Sequence, residues 1–194
     1  MTKKNQMTLT SQHKKNPLKH PDQRVGVFID VQNLYYSARH LHGKKVHFGN
    51  IVQEAVAGRK LIRAIAYVVR TESKEEQPFF EALYNFGIET REKDLQIFSS
   101  GTKKADWDVG LTVDAIRLSS SLDAIILVSG DGDYVPLVEY LQNNGKQVEV
   151  VAFGETTSSR LVEVCDDFVD LSENKKMFLI GENAPNRYTN RTRK

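Results

Sequence analysis

The chain has 194 residues, of which 40% are hydrophobic and 27% are charged, a composition typical of one globular domain with short tails. No apolar stretch approaches the roughly 18 residues that a membrane span requires, and the N-terminus lacks the apolar segment of a secretory signal. The single cysteine, Cys165, excludes an intramolecular disulfide and favours a reducing compartment. We therefore predict a cytoplasmic protein without a membrane segment.

The net charge of +2 is distributed unevenly along the chain. Residues 1–24 contain six basic residues and one acidic residue, and residues 181–194 contain four and one, which leaves residues 25–180 with a net charge of −6. Both ends also lack hydrophobic periodicity, which predicts disordered tails at 1–23 and 181–194 around a domain at 24–180. The basic tails could hold a polyanion near the domain, or could serve only solubility.

Six segments predict β-strands, and helical patterns separate them. In chain order, strands are predicted at 25–30, 61–69, 88–98, 124–129, 147–153 and 168–171. Helices are predicted at 31–42, 49–58, 75–86, 106–120 and 134–143, with a last one capped by Thr157 or Ser158 and ending near Asp166. The strand at 88–98 is polar and is expected at an edge, and Lys103 and Lys104 are expected in a loop. The alternation predicts right-handed crossovers and a mostly parallel sheet covered on both faces.

Aspartates follow two of the most apolar strands. Asp30 ends the strand at 25–30, Asp131 and Asp133 follow the strand at 124–129, and Asp108 lies in the first turn of the preceding helix. If these strands are neighbours, their carboxyl ends meet at the point where ligands bind in open α/β sheets. Gathered carboxylates repel one another unless a cation lies between them. A hard cation such as Mg²⁺ fits such ligands and could activate a water for attack on a phosphodiester.

Each of these residues also has a purely structural interpretation. Asp30 and Asp133 could cap the helices that follow them, and Asp131 could simply be a polar loop residue. Asp108 could interact only with the dipole of its helix. Asn33, one helical turn after Asp30, could cap the helix or could bind a carboxylate or a metal-bound water. The coincidence of the four acidic positions favours a site over these separate explanations.

Several neighbouring residues are candidates for substrate binding. Lys103 and Lys104 could contact a phosphate or lie in a solvated loop. Trp107 could stack on a base or pack as an anchor at the start of its helix. Ser158 and Ser159 could bind phosphate through helix N-terminal amides or could act as caps. No zinc-type spacing links the histidines, which we interpret as surface residues: His40, His42 and His47.

Four segments carry a family resemblance. Residues 28–34 (FIDVQNL) resemble the FIDxxNL motif of NYN domains, which belong to the PIN-like nuclease superfamily. Residues 104–111 (KADWDVGL) resemble the KGDWDVG-type motif of the LabA-like branch, with Ala105 in place of Gly. Residues 129–134 (SGDGDY) resemble its SGDGDF motif, with Tyr134 in place of Phe. Residues 158–168 resemble its closing block of serines, leucine, aspartate and phenylalanine. The match extends over about residues 25–172.

The resemblance implies a PIN-like three-layer α/β fold. Its central parallel sheet would have the order 3-2-1-4-5, counting the predicted strands along the chain. It also implies a Mg²⁺ or Mn²⁺ site and metal-dependent cleavage of RNA. By this transfer the metal-site and catalytic acids are Asp30, Asp108, Asp131 and Asp133. Asn33 would lie beside them, and Ser129, which opens the third motif, would support the acids or the substrate.

The leading hypothesis is a metal-dependent endoribonuclease that leaves 5′-phosphate and 3′-hydroxyl ends on single-stranded or structured RNA. Asp30, Asp108 and Asp131 would ligate the ion, while Asp133 and Asn33 would hold a second ion or its waters. The alternative is a non-catalytic RNA-binding or regulatory module of the same fold. A phosphatase with an Asp-x-Asp nucleophile motif is disfavoured, because Asp30 is followed by valine and glutamine. A homo-oligomer is compatible with the sequence.

Overall fold

The computed structural model describes residues 19–70, 76–94, 96–97, 103–104 and 106–181, with backbone alone for 96–97 and 103–104. Most of the two predicted tails therefore lies outside the described residues. No helix in the described part of the chain is long and apolar enough to cross a membrane.

Six parallel strands form the central sheet. They are β1 (Arg24–Asp30), β2 (Lys60–Arg70), β3 (Glu89–Asp94), β4 (Ala124–Val128), β5 (Gln147–Ala152) and β6 (Asp167–Asp170). The order across the sheet is β3-β2-β1-β4-β5-β6, and every neighbouring pair is parallel. This confirms the predicted order and adds β6 outside β5. All of β4 and all but the first residue of β1 are buried, which explains their continuous apolar sequences.

Helices cover both faces of the sheet. They are α1 (Val31–His42), α2 (Phe48–Val56), α3 (Glu76–Asn85), α4 (Asp108–Ser119), α5 (Val135–Asn143), α6 (Ser159–Val164) and α7 (Lys175–Phe178). Val27 and Ile29 of β1 face a core with α1, α2 and α3, whereas Phe28 faces a second core with α4, α5 and α6. This alternation follows from the two-residue period of a strand, and it produces the predicted three-layer fold. Cys165, directly after α6, is buried in the second core.

The structure corrects some local predictions. The predicted strand at 88–98 ends at Asp94, and Gln96–Ile97 pair in antiparallel fashion with Lys103–Lys104. The expectation of a loop at Lys103 and Lys104 is therefore wrong for the backbone, because two-residue strands are too short to leave a periodic signal.

The interpretation of the histidines as surface residues is wrong for two of the three. The His42 ring packs against Phe153 at 5.6 Å between centroids, and the His47 ring accepts a hydrogen bond at Nδ1 from the Asn50 backbone amide at 3.1 Å. Both rings are partly buried, because one packs on the core and the other caps α2, while His40 is exposed.

Two ion pairs at the buried Glu149 join the start of β2 and the N-terminal segment to β5. Arg59, which precedes β2, contacts Glu149 of β5 at 2.5 Å, and both side chains are 1% exposed. Lys19 contacts Glu149 at 3.4 Å and Asp167 of β6 at 2.9 Å. A buried carboxylate needs such partners, since an unpaired buried charge is costly. The described chain therefore begins at the edge from which the parallel strands start.

Candidate functional site

The predicted acidic residues lie at the carboxyl-terminal edge of the sheet, where β1 and β4 end side by side. Ile29 pairs with Val128, so Asp30 and Ser129 leave the sheet as neighbours. The Ser129 hydroxyl donates a hydrogen bond to Asp30 Oδ2 at 3.3 Å and accepts one from the Asp131 backbone amide at 3.2 Å. Ser129 therefore links the acid after β1 to the turn after β4.

Asn33 makes a second connection between the same two strand ends. Its backbone amide donates to Asp30 Oδ1 at 3.0 Å, and its side-chain Oδ1 accepts from the Gly130 backbone amide at 3.0 Å. Asp30 thus caps α1 and also faces the site, so the two interpretations of Asp30 are compatible. The Asn33 side chain holds the start of the turn after β4 against α1.

Three of the four predicted acids come together as one group. Asp108, Asp131 and Asp133 each present a carboxylate oxygen, and these oxygens lie within 4.8 Å of one another. Asp108 is the first residue of α4. Asp131 caps the 3₁₀ turn Gly132–Tyr134 by accepting from the Asp133 amide at 3.0 Å. The capping role considered for Asp133 at this turn belongs to Asp131, and the Asp133 side chain is exposed.

Burial and mutual repulsion disfavour ionisation in this site. Burial, with the Asp30 residue only 8% exposed, raises the pKa of its carboxyl to about 6. The negative charges of Asp108 and Asp131 act in the same direction, against the hydrogen bonds from Asn33 and Ser129. Burial also raises the pKa of Asp108, with contributions from the charges of Asp106, Asp131 and Asp133 and against the hydrogen bond from Tyr134. A site that resists holding several negative charges is one that a cation would stabilise.

Tyr134 lies directly behind this group and was not predicted as a site residue. It is 1% exposed, and its hydroxyl donates to Asp108 Oδ1 at 3.1 Å. Burial, followed by the charges of Asp30 and Asp108, raises the pKa of the Tyr134 hydroxyl, so this group stays protonated and acts as a donor. The sequence signal was the Tyr in place of Phe in the third motif, because a buried tyrosine usually finds a partner for its hydroxyl.

The loop after β5 closes one side of the site. The Ser158 backbone amide donates to the Gly130 carbonyl at 2.9 Å. A Cβ atom at Gly132 would lie 2.8 Å from Ser158 Oγ, so the glycine permits this close approach. Ser158 precedes α6 without a side-chain capping bond, and Ser159 is exposed. Ser158 therefore borders the acidic turn, whereas Ser159 lies on the outer side of the helix start.

Trp107 packs as an anchor at the start of α4. Its Nε1 donates to the Val68 carbonyl at 2.9 Å, and its ring meets Tyr67 edge-on at 5.5 Å between centroids. A Cβ atom at Gly110 would lie 2.5 Å from the Trp107 ring. Sequence reasoning missed Lys93, whose Nζ lies 5.8 Å from the centroid of the same ring and donates to the Asp106 carbonyl at 3.2 Å.

The side chains of Lys103 and Lys104 lie outside the described residues, whereas the Lys93 side chain contacts Asp106 and Trp107 just before α4. It had no motif to mark it, because it lies at the end of the polar edge strand β3.

The chemistry of the acidic group fits a hard divalent cation. Among the residues that the structure describes, it is the one group of three or more acidic, histidine or cysteine side chains with the spacing of metal ligands. It offers only carboxylates, the ligand type that Mg²⁺ and Mn²⁺ accept, and no thiolate or imidazole that would favour zinc. Asp108, Asp131 and Asp133 could hold such an ion directly, with Asp30 beside them.

The strand order, the three layers and the acids after β1 and β4 define a fold of the PIN-like nuclease class. The chain belongs to the NYN domain family, whose model matches residues 24–172. It is 26% identical over 163 residues to the low amplitude and bright protein LabA of Synechococcus elongatus, an alignment that covers 77% of this chain and 84% of LabA. The resemblance to the LabA-like branch is thereby confirmed.

A solved structure supports the fold. A protein of unknown function from Vibrio parahaemolyticus is 32% identical and superposes with a TM-score of 0.76, over 82% of this chain and 98% of that one. The likeness extends over nearly the whole of that protein, so the architecture described above is shared by the two.

Proposed function

We propose that this protein is a metal-dependent endoribonuclease that hydrolyses RNA phosphodiester bonds. The observation that carries the proposal is the group of three carboxylates within 4.8 Å, Asp108, Asp131 and Asp133, beside the buried Asp30. NYN domains are typically ribonucleases, and this group lies where an open α/β sheet binds its ligands. We also propose a cytoplasmic location, which the lone cysteine supports.

The acids would divide the work by their positions. Asp108, Asp131 and Asp133 would hold Mg²⁺ or Mn²⁺, and Asp30 would complete the negative field from the end of β1. The bound cation would supply an activated water and neutralise charge on the phosphodiester. Ser129 and Asn33 would keep Asp30 oriented through the hydrogen bonds described above, because partners of this kind fix ligating carboxylates.

Substrate binding would fall to residues around the acids. An acidic site repels a polyanion, so the RNA backbone needs cations nearby. Lys93 lies beside the start of α4, and we propose that Lys103 and Lys104 act with it. Ser158, at the border of the turn, would hydrogen-bond a phosphate. The basic tails at 1–23 and 181–194, outside the domain at 24–180, would add affinity that does not depend on sequence.

The experiment is cleavage of labelled single-stranded and hairpin RNAs in Mn²⁺, Mg²⁺ and EDTA. We expect wild-type cleavage that requires metal, and its loss in Asp131→Asn. Asp114→Asn is the matched control, since Asp114 also lies on α4 but bonds to Tyr67 at 3.1 Å instead of joining the acidic group. This control should retain cleavage. If Asp131→Asn cleaves as well as wild type, the site assignment is wrong.

The alternative function is a non-catalytic RNA-binding module. The basic ends around an acidic domain fit RNA binding that requires no catalysis. RNA that is retained in a gel shift but stays intact in both metals would select this alternative over the nuclease.

A further inference from the structure

Two buried tyrosines on the same face of the sheet each donate a hydrogen bond to an aspartate of α4. The Tyr134 hydroxyl donates to Asp108 Oδ1 at 3.1 Å, and the Tyr67 hydroxyl donates to Asp114 Oδ2 at 3.1 Å. Both tyrosines are 1% exposed. The pairs differ in their surroundings, because Asp108 belongs to the group of three carboxylates, whereas Asp114 has a cation, Arg91, at 3.5 Å.

Tyr134 connects the two elements that build the acidic group. It is the last residue of the turn Gly132–Tyr134, which follows Asp131 and contains Asp133. Its hydroxyl reaches across to Asp108 at the start of α4, 26 residues earlier in the chain. One hydrogen bond therefore joins the carboxylate from the helix to the turn that carries the other two.

The carboxylates themselves oppose this arrangement. Three negative groups within 4.8 Å repel one another, and the Asp108 side chain would relieve the repulsion by rotating away. A hydrogen bond from a neutral hydroxyl to a carboxylate is stronger than one between neutral groups, so it can resist that rotation.

We propose that Tyr134 is a positioning residue of the metal site, whose hydroxyl holds Asp108 where it can share a divalent cation with Asp131 and Asp133. This inference rests on the metal site of the proposed nuclease. In this proposal the Tyr134 hydroxyl increases the affinity for the metal, and the Tyr134 ring packs in the core. Partners that orient metal ligands typically change affinity by about 10- to 100-fold when they are lost.

The test is to measure Mn²⁺ binding to the full-length protein without RNA by titration calorimetry. The proteins compared are wild type, Tyr134→Phe and Tyr67→Phe. We expect Tyr134→Phe to raise the Kd for Mn²⁺ at least about 10-fold. Tyr67→Phe removes the same kind of buried bond from the same helix, so it should leave the Kd unchanged within about twofold while losing similar thermal stability.

A second measurement separates positioning from a general loss of structure. The Mn²⁺ concentration that gives half-maximal RNA cleavage should rise in Tyr134→Phe, and saturating Mn²⁺ should restore the wild-type rate. A Tyr134→Phe protein with wild-type Mn²⁺ affinity overturns the proposal, and so does an equal loss of affinity in Tyr67→Phe. Wild-type protein that binds Mn²⁺ but leaves RNA intact contradicts the ribonuclease alone, because the Kd comparison still decides the role of Tyr134.

Discussion

At the scale of single residues, the charge of the buried Asp30 lowers the free energy of unfolding. Asp30 is buried between two strand ends, and its ionised form lies near Asp108 and Asp131. Hydrogen bonds from Asn33 and Ser129 lower the pKa of its carboxyl, but burial outweighs them. Residues that a fold holds in an unfavourable state are characteristic of functional sites. The metal-free protein should therefore become more stable when this charge is removed.

We predict that Asp30→Asn stabilises the metal-free protein. Asparagine keeps the side-chain oxygen that caps α1 and removes the charge. Burial raises the carboxyl pKa from 3.8 to about 6, so ionisation above pH 6 costs up to about 3 kcal/mol of unfolding free energy. Urea unfolding in EDTA at pH 7 should show a gain of that order in the variant.

The pH dependence gives the control for this prediction. Because the folded-state pKa is raised, wild-type stability is highest below the unfolded value of 3.8 and is lost as the pH rises through about 6. The advantage of Asp30→Asn should be complete above pH 6 and should vanish near pH 4. An advantage that does not change with pH would mean that packing, and not charge, explains it.

At the scale of elements, the site depends on how closely two loops approach. The turn after β4 and the loop after β5 touch at Gly130 and Gly132. Neither glycine has a positive φ. Glycine is therefore required at these positions by the close contact between the loops and not by the backbone conformation. At Gly132 the nearest atoms belong to the side chain of Ser158, whereas at Gly130 they include the backbone of Thr156 and Thr157.

We predict that Gly132→Ala destabilises the protein by about 1–3 kcal/mol and weakens Mn²⁺ binding. The new Cβ would lie 2.8 Å from Ser158 Oγ and 3.1 Å from Ser158 Cβ. It would push the turn that carries Asp131 and Asp133 away from the loop after β5. Adding Ser158→Gly removes both atoms and should restore most of the stability, as measured by thermal unfolding.

Gly130→Ala serves as the matched comparison. Its Cβ would lie 3.1 Å from Thr157 Cα and 3.2 Å from the Thr156 carbonyl oxygen. Truncating Thr157 cannot remove backbone atoms, so Gly130→Ala/Thr157→Gly should remain destabilised. Equal rescue at both positions would mean that the loops do not approach as described.

The elements were predictable to the extent that their signals are local. The strands β1 and β4 are buried on both faces, and their apolar runs end at the aspartates that reveal the site. The bond from Tyr134 to Asp108 and the fit of Ser158 against Gly132 depend on packing between distant segments, for which a single sequence carries no periodic signal. Lys93 could not be predicted for a related reason. One lysine in a polar edge strand carries no sequence signal, and only the fold places it beside Trp107.

At the scale of the whole molecule, the N-terminal segment and the acidic group lie at opposite edges of the sheet. The described chain begins at the amino-terminal edge of the sheet, where Lys19 contacts Glu149 and Asp167. The acidic group lies at the opposite edge, since Arg24 and Asp30 at the two ends of β1 are about 20 Å apart along the strand. The N-terminal tail is thus attached at the edge of the sheet opposite the acidic group.

We predict that deleting residues 1–18 weakens RNA binding without changing Mn²⁺ affinity. These residues contain four lysines and no acidic residue. If all four contact a single strand, the log–log slope of affinity against salt should become less steep by up to about 3. Fluorescence anisotropy with a labelled single-stranded RNA at several salt concentrations measures this slope.

The Mn²⁺ titration of the same truncated protein is the control, because the acidic group lies at the far edge and should bind metal as before. An unchanged salt slope would assign the lysines to solubility. A loss of Mn²⁺ affinity would show that the tail acts on the site and not only on the RNA.

The buried position of Cys165 has a practical consequence. Burial raises the pKa of its thiol to about 12, so at neutral pH the folded chain offers almost no thiolate to an alkylating reagent. Because the chain has no other cysteine, alkylation of the protein reports on Cys165 alone. The alkylation rate of Cys165 therefore measures native-state opening of the second core, to which Tyr134 also belongs. A slower rate with Mn²⁺ than without it would report cation binding at the acidic group as protection of that core.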